Sequence, residues 1–273
     1  MPTCSPVICP AWRKSWTTQW SALASGDIRQ LKHQLDDLHS LPSHCHFVNY
    51  LRCHDDIGWS LNEEFGKTIG QDPLLHKKFL YEFFEGSFPG SYARGERYNY
   101  DPVTQDARTC GTTASLCGIE KGLFEGDEEQ ISLGIRRDLM MHAAVMCMAG
   151  FPMLSSGDEI GQLNGYGYHD DPELAEDSRN LHRTPFSWNS AALRETPGTV
   201  QQRIWNGLRK LEQLRTEEPC FAPARGCPPG TPTTTMCWPW SATGRTKRWS
   251  VCSTSPVRSR RFGWTGWREP LPT

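Results

Sequence analysis

No run of about 18 consecutive apolar residues occurs anywhere in the chain, so no segment reads as a membrane-spanning helix. Its 11 cysteines include no C-x-x-C pair, which leaves zinc sites built on such pairs without ligands. Nor do the opening residues MPTCSPVICPAWRKSW carry a sustained apolar stretch behind their charges, so a secretory signal is not expected. With an odd cysteine total, a disulfide framework is not expected either, and the chain reads as cytoplasmic and reducing. Cys45, Cys53, Cys110, Cys117 and Cys147 stand singly among apolar or small neighbours, as reduced core cysteines do. Charge of one sign is also lacking. Lys and Arg number 29 against 31 Asp and Glu, a net charge of −2 that argues against a dedicated nucleic-acid binder. The 273 residues, 37% of them hydrophobic, are enough for one large domain or two small ones with a real core.

The average conceals an uneven chain. From Pro223 to Thr273 there are 8 Lys and Arg against a single acid, Glu269, while 5 Trp, 8 Pro and 9 Thr crowd the same stretch. It holds one Leu, Leu271, and no Ile, so it has little to pack into a core. Neither the alternation of strands nor the 3.6-residue period of helices runs through it.

Upstream, order is legible. Trp20, Leu23, Ile28, Leu31, Leu35 and Leu38 recur at helical spacings and predict a helix over Gln19–Leu38, stopped by Pro42. Phe47–Cys53 is short, β-prone and mostly apolar, which suits a buried strand, and His54-Asp55-Asp56 follows it directly. Residues 57–123 form a long stretch rich in Gly and aromatics, with one short helix at about Leu74–Phe84 and a run of small residues over Gly111–Gly118. Its length and aromatic content point to an ordered, functional insertion. A second helix is expected over about Glu129–Ala149, then an apolar run Phe151–Leu154 leading into a second polar cluster, Ser155–Glu159. A third helix is expected over about Thr199–Arg215, with Ile204, Leu208, Leu211 and Leu214 on one face. Strand, polar cluster, insertion, helix, strand, polar cluster, helix is a rhythm shared by the (β/α) barrel and the doubly wound sheet. In the barrel, functional groups gather at the carboxyl ends of strands.

Val48-Asn49-Tyr50-Leu51-Arg52-Cys53-His54-Asp55-Asp56-Ile57-Gly58-Trp59 resembles the end of the seventh barrel strand in the α-amylase family, glycoside hydrolase family 13, and in its amylosucrase branch in particular. The likeness continues through Gly86-Ser87-Phe88, Tyr92-Ala93-Arg94-Gly95, Tyr98-Asn99-Tyr100 and Asp106-Ala107-Arg108. Gly157-Asp158-Glu159-Ile160-Gly161 resembles the segment after the eighth strand, and Asp177-Ser178-Arg179-Asn180-Leu181-His182-Arg183 the loop beyond it. The resemblance covers roughly Trp20 to Pro219. It implies an α/β fold that is a C-terminal fragment of a (β/α)8 TIM barrel, about strands 7 and 8 with their helices and a long insertion after strand 7. Residues 19–219 would be this partial catalytic domain, with 57–123 its insertion.

The resemblance also implies roles. Asp55 would accept hydrogen bonds from two sugar hydroxyls at the cleavage subsite, tightening as positive charge develops on the ring, and His54 would donate to a neighbouring hydroxyl or orient Asp55. Asp56 and Arg108 would lie in the acceptor region, and Arg179 would pair with an acid to close the pocket floor around sucrose. Taken alone, His54-Asp55-Asp56 reads as a loop or helix cap, and each arginine as a surface ion pair. Asp158-Glu159 reads as structural, Tyr98, Tyr100 and Trp59 more as core than as sugar platforms, and His169-Asp170-Asp171 lacks the further ligands a metal would need. No cofactor or metal is expected. The substrates implied are sucrose and α-glucan, acted on by a retaining transglucosylase, or alternatively by a sucrose hydrolase or another glycosidase of the family.

The family places its nucleophilic Asp after the fourth strand and its acid/base Glu after the fifth, upstream of every motif found here, and two strands cannot close a barrel. The acid expected to pair with Arg179 also belongs to that upstream part. Activity of these 273 residues by themselves is therefore not expected, and the other class of reading is a non-catalytic remnant with at most weak sugar binding. Residues 220–273, standing where the family continues into a small β domain, and residues 1–18 are expected to be out-of-frame flanks.

Overall fold

The apolar spacing that predicts one helix over Gln19–Leu38 runs across Gly26, but the helix itself breaks there. In the computed structural model, which describes residues 15–38, 48–148, 150–217, 235–237 and 250–252, α1 spans Ser15–Ser25 and α2 spans Arg29–Leu38. Gly26 adopts a left-handed φ of 70°, and its N–H returns to the Ala22 carbonyl at 3.0 Å, closing the first helix. Asp27 then accepts the Arg29 N–H through Oδ1 at 3.0 Å and starts the second. The single helix is thus corrected to two, and Trp20 and Leu31 still turn inward and are buried.

The chain divides into two compact units, Met1–Leu214 and Arg215–Thr273. In the first, β1 is Val48–Asn49, shorter than the strand expected over Phe47–Cys53, whose first residue lies outside the described residues. The insertion is more regular than its composition predicts. It contains β2 (Ile57–Gly58), α3 (Glu63–Thr68), α4 (Pro73–Glu85), β3 (Glu96–Tyr98), β4 (Arg108–Cys110), α5 (Thr113–Leu116) and α6 (Ile119–Glu125). The three strands form an antiparallel sheet in the order β2-β4-β3, with Ile57 opposite Thr109 and Tyr98 opposite Arg108. α4 follows the expected Leu74–Phe84 closely. Asp72 caps it by accepting the Leu75 N–H at 2.9 Å, Pro73 fits its first turn, and Gly86 at φ 95° ends it.

The long helix α7 spans Glu128–Cys147 and packs against α6 as an antiparallel hairpin. Two glycines permit the contact. A Cβ on Gly122 would lie 2.7 Å from the Ile131 nitrogen, and one on Gly134 would lie 2.7 Å from the Ile119 nitrogen, so only hydrogen fits at either place. After α7 comes β5, Phe151–Pro152, which pairs parallel with β1: Val48 stands opposite Phe151 and Asn49 opposite Pro152. The Met153 N–H donates to the Asn49 carbonyl at 2.8 Å and carries the pairing one residue further.

Strand, helical crossover and parallel strand make a mixed α/β architecture. Its sheets are small, and among the described residues no closed barrel forms. Val48 and Phe151 remain 44% and 55% exposed, whereas strands inside a barrel are buried on both faces. One core gathers Trp20, Leu51, Leu80, Phe84, Leu116 and Val145. A second joins Ile119, Ile131 and Ile135 to Ile204 and Leu208, the latter two on α9 (Val200–Glu217), which lies close to the helix expected over Thr199–Arg215; α8 (Trp188–Ala192) precedes it. Among the described residues no helix is long and apolar enough to cross a membrane. In the second unit, β6 (Thr235–Cys237) and β7 (Ser250–Cys252) pair antiparallel, Met236 opposite Val251. The composition of that stretch predicts no strand; three-residue ladders are made by backbone bonds and need no apolar alternation.

Candidate active site

The polar residues of the site descend from a buried charge network behind β1. Arg52, one of the few charged residues in an apolar stretch, is 3% exposed and donates from Nε at 3.0 Å to Asp158 Oδ1, with Nη2 2.8 Å from the same oxygen. Asp158 lies in a short 3-10 turn, Asp158–Ile160, and its other oxygen faces His142 Nε2 at 3.7 Å. His142 Nδ1 is 2.9 Å from Asp138 Oδ1, one helical turn earlier on α7. Two bases and two acids thus meet with their side chains buried. Burial pushes the Asp138 carboxyl up, while Arg52 and His142 together outweigh burial and hold Asp158 below its ordinary value. Burial alone would lower His142, but Asp138 and Asp158 raise it to about 10. Asp158 is accordingly a structural residue, and its neighbour Glu159 turns away to accept the Gly157 N–H at 2.8 Å.

This network anchors the segment from which His54, Asp55 and Asp56 emerge. His54 and Asp55 stand at the surface, their side chains 77% and 51% exposed, with His54 Nε2 3.6 Å from Asp55 Oδ2. Asp55 Oδ1 faces Arg179 Nη1 and Arg183 Nη2, both at 3.4 Å. Asp56 turns inward, its carboxylate nearly buried, and meets Arg108 Nη1 at 3.3 Å. The five residues singled out in the sequence therefore fall into two adjoining clusters: Asp55 with Arg179 and His54, and Asp56 with Arg108.

Arg179 is also held from within its own loop: Asp177 receives Nε and Nη2 in a bidentate pair, both at 2.7 Å. Those hydrogen bonds hold Asp177 below the usual carboxylate range and raise Arg179 further. The guanidinium also lies over the Tyr98 ring, 5.2 Å from its centre. Trp59, by contrast, is core: its ring stacks on Phe84 and its Nε1 donates to Thr109 Oγ1 at 3.2 Å. Tyr100 is 44% exposed. His169 is bound to Glu96 at 2.9 Å, and among the described residues no group of three or more His, Cys, Asp or Glu could hold a metal ion.

No protein-family model matches the chain.

The loop that carries Arg179 adds two residues that sequence reasoning did not single out. Arg183 donates from Nε to the His54 carbonyl at 2.7 Å. His182 lies between the Gly111 N–H, 3.2 Å from Nδ1, and the same His54 carbonyl, 3.3 Å from Nε2. In the sequence they appear only as the last two residues of the Asp177–Arg183 motif, with no role of their own. Burial and the nearby Arg52 hold His182 down to about 4. Between the ordinary histidine value of 6.5 and about 4, the unfolded chain binds a proton that the folded one refuses, so stability falls as pH falls through that window. The expected loss is about 2–3 kcal/mol. Urea midpoints at about pH 7 and about pH 4.5 check this. A loss of equal size in a His182→Gln variant would take His182 out of the account.

Chemically, Asp55 is a half-exposed carboxylate with two arginines paired to one oxygen at 3.4 Å, and its exposed part is suited to accept hydrogen bonds from hydroxyl groups. Asp177 is held ionised by its arginines and cannot give up a proton.

Proposed function

We propose that the chain is the seventh- and eighth-strand portion of an amylosucrase-like retaining α-transglucosylase of the α-amylase family. In such an enzyme sucrose is cleaved, glucosyl is held covalently on an Asp, fructose leaves, and the glucosyl passes to a glucan 4-hydroxyl. The observation that carries the reading is the place of Asp55. It follows β1, a strand paired parallel to β5 across a helical crossover, and Arg179 from the loop beyond β5 reaches it. Asp55 then serves as the carboxylate that stabilises the oxocarbenium-like transition state, with Asp56 and Arg108 on the acceptor side.

Retaining catalysis also needs two carboxyl groups about 5–5.5 Å apart, one of them able to donate a proton. Asp177, beside Asp55 but held ionised, does not supply that donor, which favours sugar binding without turnover by this chain. Saturation-transfer NMR of the full chain with sucrose tests the reading. Transfer to the glucosyl ring is expected, and Asp55→Asn should weaken it about tenfold, the equivalent of one lost charge-assisted hydrogen bond. A coupled assay should find no fructose above the blank. Absence of transfer in the wild-type chain, or equal transfer in the variant, would reject the sugar site; fructose release at an enzymatic rate would reject binding without turnover.

A further inference from the structure

We infer that His182 and Arg183 are positioning residues for Asp55: their ring and guanidinium N–H groups converge on the His54 carbonyl and hold the peptide that presents the Asp55 side chain. The inference rests on Asp55 being the sugar-binding carboxylate. A carbonyl oxygen has two lone pairs, and both are used here, by Arg183 Nε at 2.7 Å and His182 Nε2 at 3.3 Å. The His182 tautomer follows from its other neighbour. The Gly111 amide can only donate, so Nδ1 must be the bare nitrogen and the proton sits on Nε2, facing His54.

Gly111 directly follows β4, the central strand of the antiparallel sheet. A continuous line of contacts therefore runs from that strand through the His182 ring to the His54 carbonyl, and from there to Asp55. Arg183 adds direction. Its three nitrogens reach three different groups: Nε the carbonyl, Nη2 Asp55 at 3.4 Å, and Nη1 Asp177 at 3.4 Å. Arg179 cannot replace it, because two of its nitrogens are committed to Asp177. A lysine, with one nitrogen on a flexible stem, cannot span three acceptors in fixed directions. The Arg183 side chain is 30% exposed, so its removal opens no hole in the core.

The test uses the full chain labelled for NMR. Ring nitrogen spectra should show His182 as the neutral Nε2–H tautomer at neutral pH. Arg183→Gln and Arg183→Lys should both move the Asp55 amide and carboxyl-carbon signals, leave the thermal midpoint within about a degree, and weaken sucrose binding about tenfold. Similar losses in both variants show that geometry matters rather than charge. An Nδ1–H tautomer at His182, or Asp55 signals unmoved in both variants, would overturn the inference. If the wild-type chain fails to bind sucrose while both variants still move Asp55, the sugar reading fails and the positioning role stands.

Discussion

Asp158→Asn should destabilise the first unit by about 3–5 kcal/mol, the cost of leaving buried charge without its partner. The carboxylate stands between Arg52 Nη2 at 2.8 Å and His142 Nε2 at 3.7 Å, with side chains 2–3% exposed. Asparagine keeps an oxygen for Arg52 but removes the negative charge, so two cationic groups share Asp138 alone. Water cannot reach them to compensate. Against a typical domain stability of about 5–15 kcal/mol, that is a large fraction of the total. A urea titration reads it as a lower midpoint at unchanged slope. Adding Arg52→Met should recover part of the loss, because the orphaned charge departs with its partner. A single-variant shift under about 1 kcal/mol, or no recovery in the double variant, would show that the network is not what holds this segment.

Trp20→Ala should cost about 3–5 kcal/mol, the range for emptying a large buried aromatic site. Trp20 is fully buried, its ring set edge-on to Phe84 with centroids 5.4 Å apart. Its Nε1 also donates to the Leu51 carbonyl at 2.9 Å, so truncation leaves a buried acceptor unpaired as well as a cavity. Leu51 lies three residues before His54, and the damage reaches the site. Trp20→Phe separates the two contributions. It restores most of the volume but not the donor, and should recover more than half of the loss in thermal or urea unfolding. Equal losses in Ala and Phe variants would mean that the hydrogen bond, and not the packing, ties α1 to the site segment.

Long periodic elements are legible in the sequence, whereas short or long-range ones are not. The expected helices at Leu74–Phe84 and Thr199–Arg215 lie at α4 and α9, because apolar spacing and caps such as Asp72 are local signals. The break at Gly26–Asp27 is hidden by apolar residues that keep their spacing across it. The antiparallel sheet is hidden because its strands are two or three residues long, below the length at which alternation can be counted. At the site, His54-Asp55-Asp56 stands out as a motif, and Arg108 and Arg179 reach it. The buried quartet does not stand out: Arg52 and Asp158 lie 106 residues apart, and nothing in a single sequence pairs them. Asp138 and His142, four residues apart on one helix, are the half that spacing can expose.

The glycine-tight hairpin of α6 and α7 bears on the order in which the molecule assembles. Its contacts join residues close in sequence, so they form with little loop-closure entropy and are available early. The pairing of Val48 with Phe151 closes a loop of roughly a hundred residues, the kind of contact that forms late. Asp55 sits just beyond that pairing, so a nascent chain builds its helical frame first and sets the exposed Asp55 carboxylate in place among the last of its native groups.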